Sequence, residues 1–276
     1  EGRGAALEQK NKDGEIMKGK ETKAKYTAPS VVATFEILSF LSKNRNNNST
    51  LTEISKGLDI NHSTCYRILQ TLVNLNVLKY DKETKRFSLG PYLIVLGNKA
   101  AESLDYIRIA KDYLKKISEL TKVTTAIAQR VGDEWIYIDR EISESPYSVN
   151  INVGQRFPLN AGATSKVILS YLSDEERNEI LDRIGLRQYT KHTVIDKEEI
   201  LKELSEIKLQ GYAISHNEHV EGISGISFPI ENRNGDLEFV VTLVMITTVN
   251  NETELIELAN KVKVLTDELT YILSRQ

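Results

Sequence analysis

Residues 60–72 read Ile60-Asn61-His62-Ser63-Thr64-Cys65-Tyr66-Arg67-Ile68-Leu69-Gln70-Thr71-Leu72. Apolar residues fall at Cys65, Ile68, Leu69 and Leu72, and again at Leu75, the spacing of a helix with one buried face. The opposite face carries Ser63, Tyr66, Arg67, Gln70 and Asn74, side chains able to hydrogen-bond base edges or phosphates, and none is acidic. Asn61 is a good N-cap, and Ser63 and Thr64 fall in the first turn, where amides point outward toward an anion. An ordinary amphipathic surface helix has the same pattern, so the neighbouring segments decide between the two readings.

Upstream, Pro29-Ser30 opens a helix with Ser30 as its expected cap and Val31, Phe35, Leu38 and Leu41 as its buried stripe. A polar loop follows over 44–49, then Thr50-Leu51-Thr52-Glu53, a capping box opening a short helix that stops at Gly57. Two short helices joined by a turn with Gly near its start form a helix-turn-helix. Downstream, 77–80 and 86–90 read as strands around the charged turn 81–85. A hairpin behind a helix-turn-helix is a wing, and it brings Lys82, Lys85 and Arg86 toward a DNA backbone. The expected DNA-contacting set is Thr50, Asn61, His62, Ser63, Thr64, Tyr66, Arg67, Gln70, Thr71, Lys82, Lys85 and Arg86.

At 276 residues and 40% hydrophobic, the chain is long enough for two domains, each with its own core. Charge is divided unevenly: residues 17–98 carry 12 Lys and Arg against 6 Asp and Glu, whereas 99–276 carry 21 against 29. A basic N-terminal third on an acidic body points to one end meeting a polyanion. No apolar run approaches the roughly 18–20 residues of a membrane span, and no signal peptide is evident. The one cysteine excludes an internal disulfide and suits a reducing compartment, so a cytoplasmic protein is expected. Residues 1–16 read as a remnant appended ahead of a natural initiator, Met17, and 17–29 as a flexible basic lead-in.

The expected domains are a winged helix-turn-helix over 30–90, a linker helix over 91–103, and a second domain over 104–276. In that second domain a helix carries Tyr106, Ile109, Ala110, Tyr113, Leu114, Ile117 and Leu120, and 124–131 and 134–140 form a hairpin around Gly132-Asp133. Strands are predicted at 147–153, 211–215, 223–230 and 237–246, and helices at 162–172, 173–184, 196–210 and 251–274. The nearly all-apolar 237–246 predicts a central strand covered on both faces. The fold class is α+β, a mostly antiparallel sheet with helices against it.

This pattern resembles the isocitrate-lyase-regulator (IclR) family of transcription factors. The resemblance rests on Thr50-Leu51-Thr52-Glu53-Ile54, the 63–72 stretch and Phe87-Ser88-Leu89-Gly90 in the first half. In the second half it rests on Val153-Gly154-Gln155-Arg156-Phe157-Pro158-Leu159 with Lys166, Gly211-Tyr212-Ala213, Asn217-Glu218, 222–227 and Phe228-Pro229-Ile230. It implies a GAF-like C-terminal domain that binds a small carboxylate or aromatic acid, and homodimers or tetramers on palindromic double-stranded DNA. Carried over, the effector site is the amides of Ala163 and Thr164 with Ser215, Asn217, Gly225, Ser227 and Thr242. Two departures bear on the ligand: Ala163-Thr164-Ser165 stands where the family usually has glycines, and Gly225 stands where some relatives carry a larger polar or thiol side chain.

No enzyme constellation is evident: no phosphate loop, nucleophile–base pair or metal set, and neither cofactor nor membrane partner is expected. His216 and His219 flank Glu218 in a spacing that would permit a metal, but a loop between strands is weak support for one. Cys65 falls in phase with the core leucines, as an inert buried thiol. Trp135 and Tyr137 read as sheet packing. The expectation is a ligand-responsive repressor or activator, with an enzyme carrying an accessory DNA-binding module as the alternative.

Overall fold

The computed structural model describes residues 28–103, 105–246 and 252–275. The expected remnant at 1–16 and the basic lead-in up to 27 lie outside the described residues. The chain divides into two compact units, one ending at Leu96 and one beginning at Gly97.

In the first unit, α1 (Pro29–Leu41) is capped at Ala28, with Pro29 in the first turn. Ser30 is therefore inside the helix, not its cap; proline's fixed φ suits the first helical position and sets the start one residue earlier. The buried stripe is also rotated from expectation. Ile37 and Leu41 are fully buried, whereas Val31 and Phe35 are 54% and 66% exposed. The helix has two apolar faces, and periodicity alone does not choose between them; packing into the core with Cys65, Leu69 and Phe87 does. Thr50 caps α2 (Leu51–Gly57) with both bonds of the capping box formed. Asn61 caps α3 (His62–Asn74) by accepting from the Ser63 amide. Cys65, Leu69 and Leu72 are buried, but Leu75 lies past the helix end and is exposed, because the chain turns at Asn76 with φ +57°.

The hairpin forms as expected from β2 (Leu78–Asp81) and β3 (Arg86–Leu89). A two-residue strand absent from the sequence reading, β1 (Ser49–Thr50), pairs with β3 and ties the wing to the start of α2. Gly90 closes the hairpin against the backbone: a Cβ there would lie 2.4 Å from the Asn76 carbonyl oxygen. The unit boundary falls within α4 (Tyr92–Ser103), the expected linker helix.

The second unit is built on an antiparallel sheet of six strands among the described residues. These are β4 (Thr124–Val131), β5 (Glu134–Glu141), β6 (Arg156–Pro158), β7 (Ala213–His216), β8 (Ile223–Glu231) and β9 (Leu237–Ile246), in the order β6-β5-β4-β9-β8-β7. β9 lies between β4 and β8, as its apolar run predicts. Strand alternation divides its side chains. Phe239, Val241, Leu243 and Met245 join Ile226, Phe228 and Ile230 in a core with α5 (Asp105–Thr121) and α9 (Glu252–Leu273). Fully buried Phe228 and Phe239 each contribute roughly 1.5–3 kcal/mol of hydrophobic stabilisation there. On that helix Leu120 is exposed, since α5 is ending where it falls.

The other sheet face packs against α6 (Ala163–Ser170), α7 (Asp174–Ile184) and α8 (Lys197–Gln210). Small and polar residues sit side by side beneath α6. Ser215 pairs with Gly225 and Gly225 with Val244, while Ala213 pairs with Ser227 and Ser227 with Thr242. The strand predicted at 147–153 is absent. The place beside β5 is taken by β6, with Phe157 opposite Trp135, and Gly154 turns the chain into it at φ +82°. Tyr147 and Val153 face solvent, and only Ile151 of this segment is buried.

Candidate nucleic-acid interface and ligand cavity

The outer face of α3 is open. His62, Ser63, Thr64, Tyr66, Arg67 and Thr71 are exposed, and Gln70 is half-buried. Two members of the expected set are partly engaged: Asn61 Oδ1 accepts from both the amide and the hydroxyl of Ser63, and Thr71 donates to the Arg67 carbonyl. Thr50 is spent on capping α2. On the wing, Lys82 and Lys85 are exposed in the turn, Lys85 with φ +56°. Arg86 differs. Its Nη1 donates to the Asn48 carbonyl at 2.7 Å and to Glu53 at 3.1 Å, the same carboxylate that closes the capping box. Arg86 thus locks wing to α2, a pairing across 33 residues that no local pattern announces.

In the second unit, a cavity of about 260 Å³ opens between the α6 start and the sheet. Of the seven residues expected there, Ala163, Thr164, Ser215, Gly225 and Thr242 line it. The other two are corrections. Ser227 lies beneath the cavity, its hydroxyl 3.0 Å from that of Thr164 and donating to Thr242 at 2.9 Å. Asn217, at φ +56°, bends the 217–222 turn by accepting from the Gly222 amide. Gly225 leaves space that a side chain would fill: a Cβ there would sit 3.3 Å from Ser215 Oγ and 3.7 Å from Ala163 Cβ.

The aromatic wall was not foreseen. Trp135 and Phe157 stack at 4.4 Å between centroids, Tyr137 meets both edge-on, and all three line the cavity. Reading Trp135 and Tyr137 as sheet packing identified their burial but missed this second role. Burial raises the Tyr137 phenol well above its ordinary value, so it stays neutral. The Trp135 N–H is committed to Ser165 Oγ, which donates in turn to the Pro158 carbonyl.

The α6 N-terminus already holds a carboxylate of the chain itself. Glu218 Oε2 accepts from the Gly162 amide at 3.2 Å, and Glu218 Oε1 pairs with Lys166 Nζ at 2.5 Å. Lys166 also pairs with Glu203 at 2.7 Å. Burial alone would lower the Lys166 ammonium, but the two carboxylates outweigh it and hold it above its ordinary value. The two histidines beside Glu218 part company. His216 Nδ1 lies 3.2 Å from Ser224 Oγ, while the His219 ring packs on Phe157 and Tyr189. Burial lowers the His219 imidazole below its usual value, leaving it neutral at pH 7. Among the described residues, no group of three His, Cys, Asp or Glu side chains is placed to hold a metal.

Residues 98–271 match the model of the bacterial transcriptional regulator IclR C-terminal domain, and residues 30–82 that of the IclR helix-turn-helix domain. The chain belongs to the IclR family. It is a helix-turn-helix transcriptional regulator with an effector-binding C-terminal domain. The chain is 33% identical over 206 residues to the HTH-type transcriptional regulator KdgR of Dickeya chrysanthemi, covering 75% of this chain and 67% of that protein. An IclR transcriptional regulator from Alicyclobacillus acidocaldarius superposes with a TM-score of 0.82 at 32% identity, covering 91% of this chain and 99% of that one. An IclR homologue from Microbacterium hydrocarbonoxydans, solved complexed with 4-hydroxybenzoate, shares the fold at a TM-score of 0.73 and 19% identity, over 88% of this chain and 99% of that one. Among the described residues no helix is long and apolar enough to cross a membrane.

Proposed function

We propose that this regulator binds palindromic double-stranded DNA as a homodimer or tetramer, and that a small organic acid in the α6 cavity sets its operator affinity. The observation that carries the reading is the open, carboxylate-free outer face of α3, with Arg67 at its centre. Arg67 and Tyr66 address base edges, the α3 start and the two wing lysines address phosphates, and Arg86 holds the wing in place. Self-association is supported by apolar side chains exposed on α1 (Val31, Val32, Phe35) and α4 (Tyr92, Ile94, Val95, Leu96). A two-fold pair of recognition helices matches a palindromic site.

The cavity binds and releases its ligand without converting it. That reading is supported by the matched family models and relatives, which are transcriptional regulators. Binding of 4-hydroxybenzoate by the Microbacterium protein supports an organic acid as ligand class. The partner being DNA, the working compartment is the cytoplasm. The test is selection of operator sequences by the purified protein, repeated with a panel of metabolites. A palindromic consensus whose affinity shifts reversibly with one unaltered acid is the expected outcome. Consumption of that acid, or binding indifferent to sequence, would refute the reading.

A further inference from the structure

One side of α9 buries Leu255, Ala259, Val262 and Leu269 in the core it shares with α5. The opposite side carries Ile256, Asn260, Val264, Asp267 and Tyr271, at steps of four, four, three and four residues, so these align along one stripe. Ile256, Val264 and Tyr271 are 41%, 69% and 57% exposed. Single apolar side chains on a surface need no explanation, but three in helical register on a solvent face point to a surface that is covered. Ile256 also lines a second cavity, of about 480 Å³, beside the edge strand β7. Ile207, Tyr212 and Ile214 give that cavity an apolar side, while Glu203, Glu206 and Glu218 outnumber its one lysine, Lys166. His216 lines it too, and its buried Nε2 has no hydrogen-bond partner among the described residues, which points to a group supplied from outside. At the other end of the stripe the Arg275 guanidinium lies over the Tyr271 ring at 4.7 Å. The acidic cavity and this basic aromatic end are complementary in charge and stand almost equally far from Val264. Ile256 lies eight residues before it and Tyr271 seven after, about 12 and 10.5 Å along the axis at about 1.5 Å per residue.

We propose that α9 pairs antiparallel with the α9 of a second copy of this chain about a two-fold axis at Val264, each copy setting its Tyr271 and Arg275 into the other's cavity at Ile256. In a two-fold contact residue i meets j while j meets i, so the near-equal distances from Val264 seat both ends at once. The ring packs on the apolar side of the cavity, its hydroxyl serves His216 Nε2, and the guanidinium faces the carboxylates. The same register sets Lys261 opposite the second copy's Asp267, twice. A parallel pair would instead bring the two acidic cavities together, and like charges oppose that arrangement. This contact lies wholly in the second unit and uses none of the exposed α1 and α4 side chains. It goes beyond the assembly proposed above and stands apart from it.

Sedimentation equilibrium of the full chain tests this, with substitutions at exposed positions that leave the α9 core face intact. Val264→Arg places two cations at the axis, and Tyr271→Ala empties both cavities. Each should raise the dissociation constant of one association step by at least roughly thirtyfold, as loss of a central aromatic anchor does. Far-UV circular dichroism should be unchanged in both. Arg275→Glu should weaken the same step about fivefold, and Glu206→Arg added to the same chain should restore it, since the charges across the contact are then exchanged. Phe35→Glu on α1 probes the other surface. Loss of a step in Phe35→Glu alone, with both α9 variants assembling as wild type does, would overturn the α9 contact and keep assembly through α1. Weakening by Arg275→Glu that Glu206→Arg does not restore would overturn the seating of the α9 end in the cavity. A wild-type chain that stays monomeric across the micromolar range would overturn both contacts.

Discussion

At the scale of single residues, Lys166 governs the α6 start. It lies one turn into the helix and neutralises the Glu218 carboxylate that sits on the Gly162 amide. Removing one partner of a buried pair leaves an uncompensated charge, so Lys166→Met should lower unfolding stability by about 3–5 kcal/mol in urea titration. A loss below about 1 kcal/mol would mean the pair is effectively solvated. The raised ammonium pKa predicts a pH window as well. Its stabilising contribution is complete below the ordinary lysine value of 10.5 and is lost as pH rises through the higher folded value. Wild type should therefore lose stability above that pH more steeply than Lys166→Met. The pairing itself was not legible beforehand, since Glu218 stands 52 residues from Lys166 and was noted only within a family motif and as a neighbour of histidines.

At the scale of elements, the recognition helix and the wing make separable predictions. Arg67→Ala leaves the Cys65–Leu69–Leu72 face intact, so folding should be unchanged. Specific operator binding should fall by about 1–3 kcal/mol, the worth of a bidentate base contact, while binding to random DNA changes much less. Equal losses on both DNAs in a fluorescence-anisotropy titration would remove Arg67 from base readout. Lys82→Gln and Lys85→Gln should weaken binding to every sequence and each reduce the slope of log affinity against log salt by about one. Arg86→Gln should behave differently. Because that guanidinium is bonded to Asn48 and Glu53, its loss should lower the melting temperature of the winged unit rather than the salt slope.

At the scale of the whole molecule, the proposed function makes regulation a coupling free energy between DNA binding and occupancy of the α6 cavity, and such coupling is reciprocal. An acid that changes operator affinity by a given factor must have its own affinity changed by the same factor when operator is bound. For typical couplings that factor is about 5–150. Titrating the acid into free and operator-saturated protein measures it. Unequal factors would show that the change in operator affinity is not linked to occupancy of a single class of site. The acidic balance of residues 99–276 gives an incoming anion no long-range attraction, so the proposed function requires recognition by short-range bonds inside the cavity.

What the sequence by itself determined is whatever near neighbours decide. The capping box at Thr50, the Asn61 cap, the α3 burial phase, the wing hairpin and the apolar β9 each follow from residues within a few positions of one another, and each is found in the structure. The α6 start and its Ala163, Thr164, Ser215, Gly225 and Thr242 neighbours were legible through resemblance to the family. Only the tertiary structure decided the rest. Which apolar face of α1 is buried depends on the core it meets, and whether 147–153 becomes a strand depends on which segment pairs with the β5 edge. The aromatic wall of Trp135, Tyr137 and Phe157 and the carboxylate of Glu218 at the Gly162 amide come from separate strands and turns. Their proximity is set by sheet pairing and core packing, which act between segments far apart in the chain, and no local spacing records them.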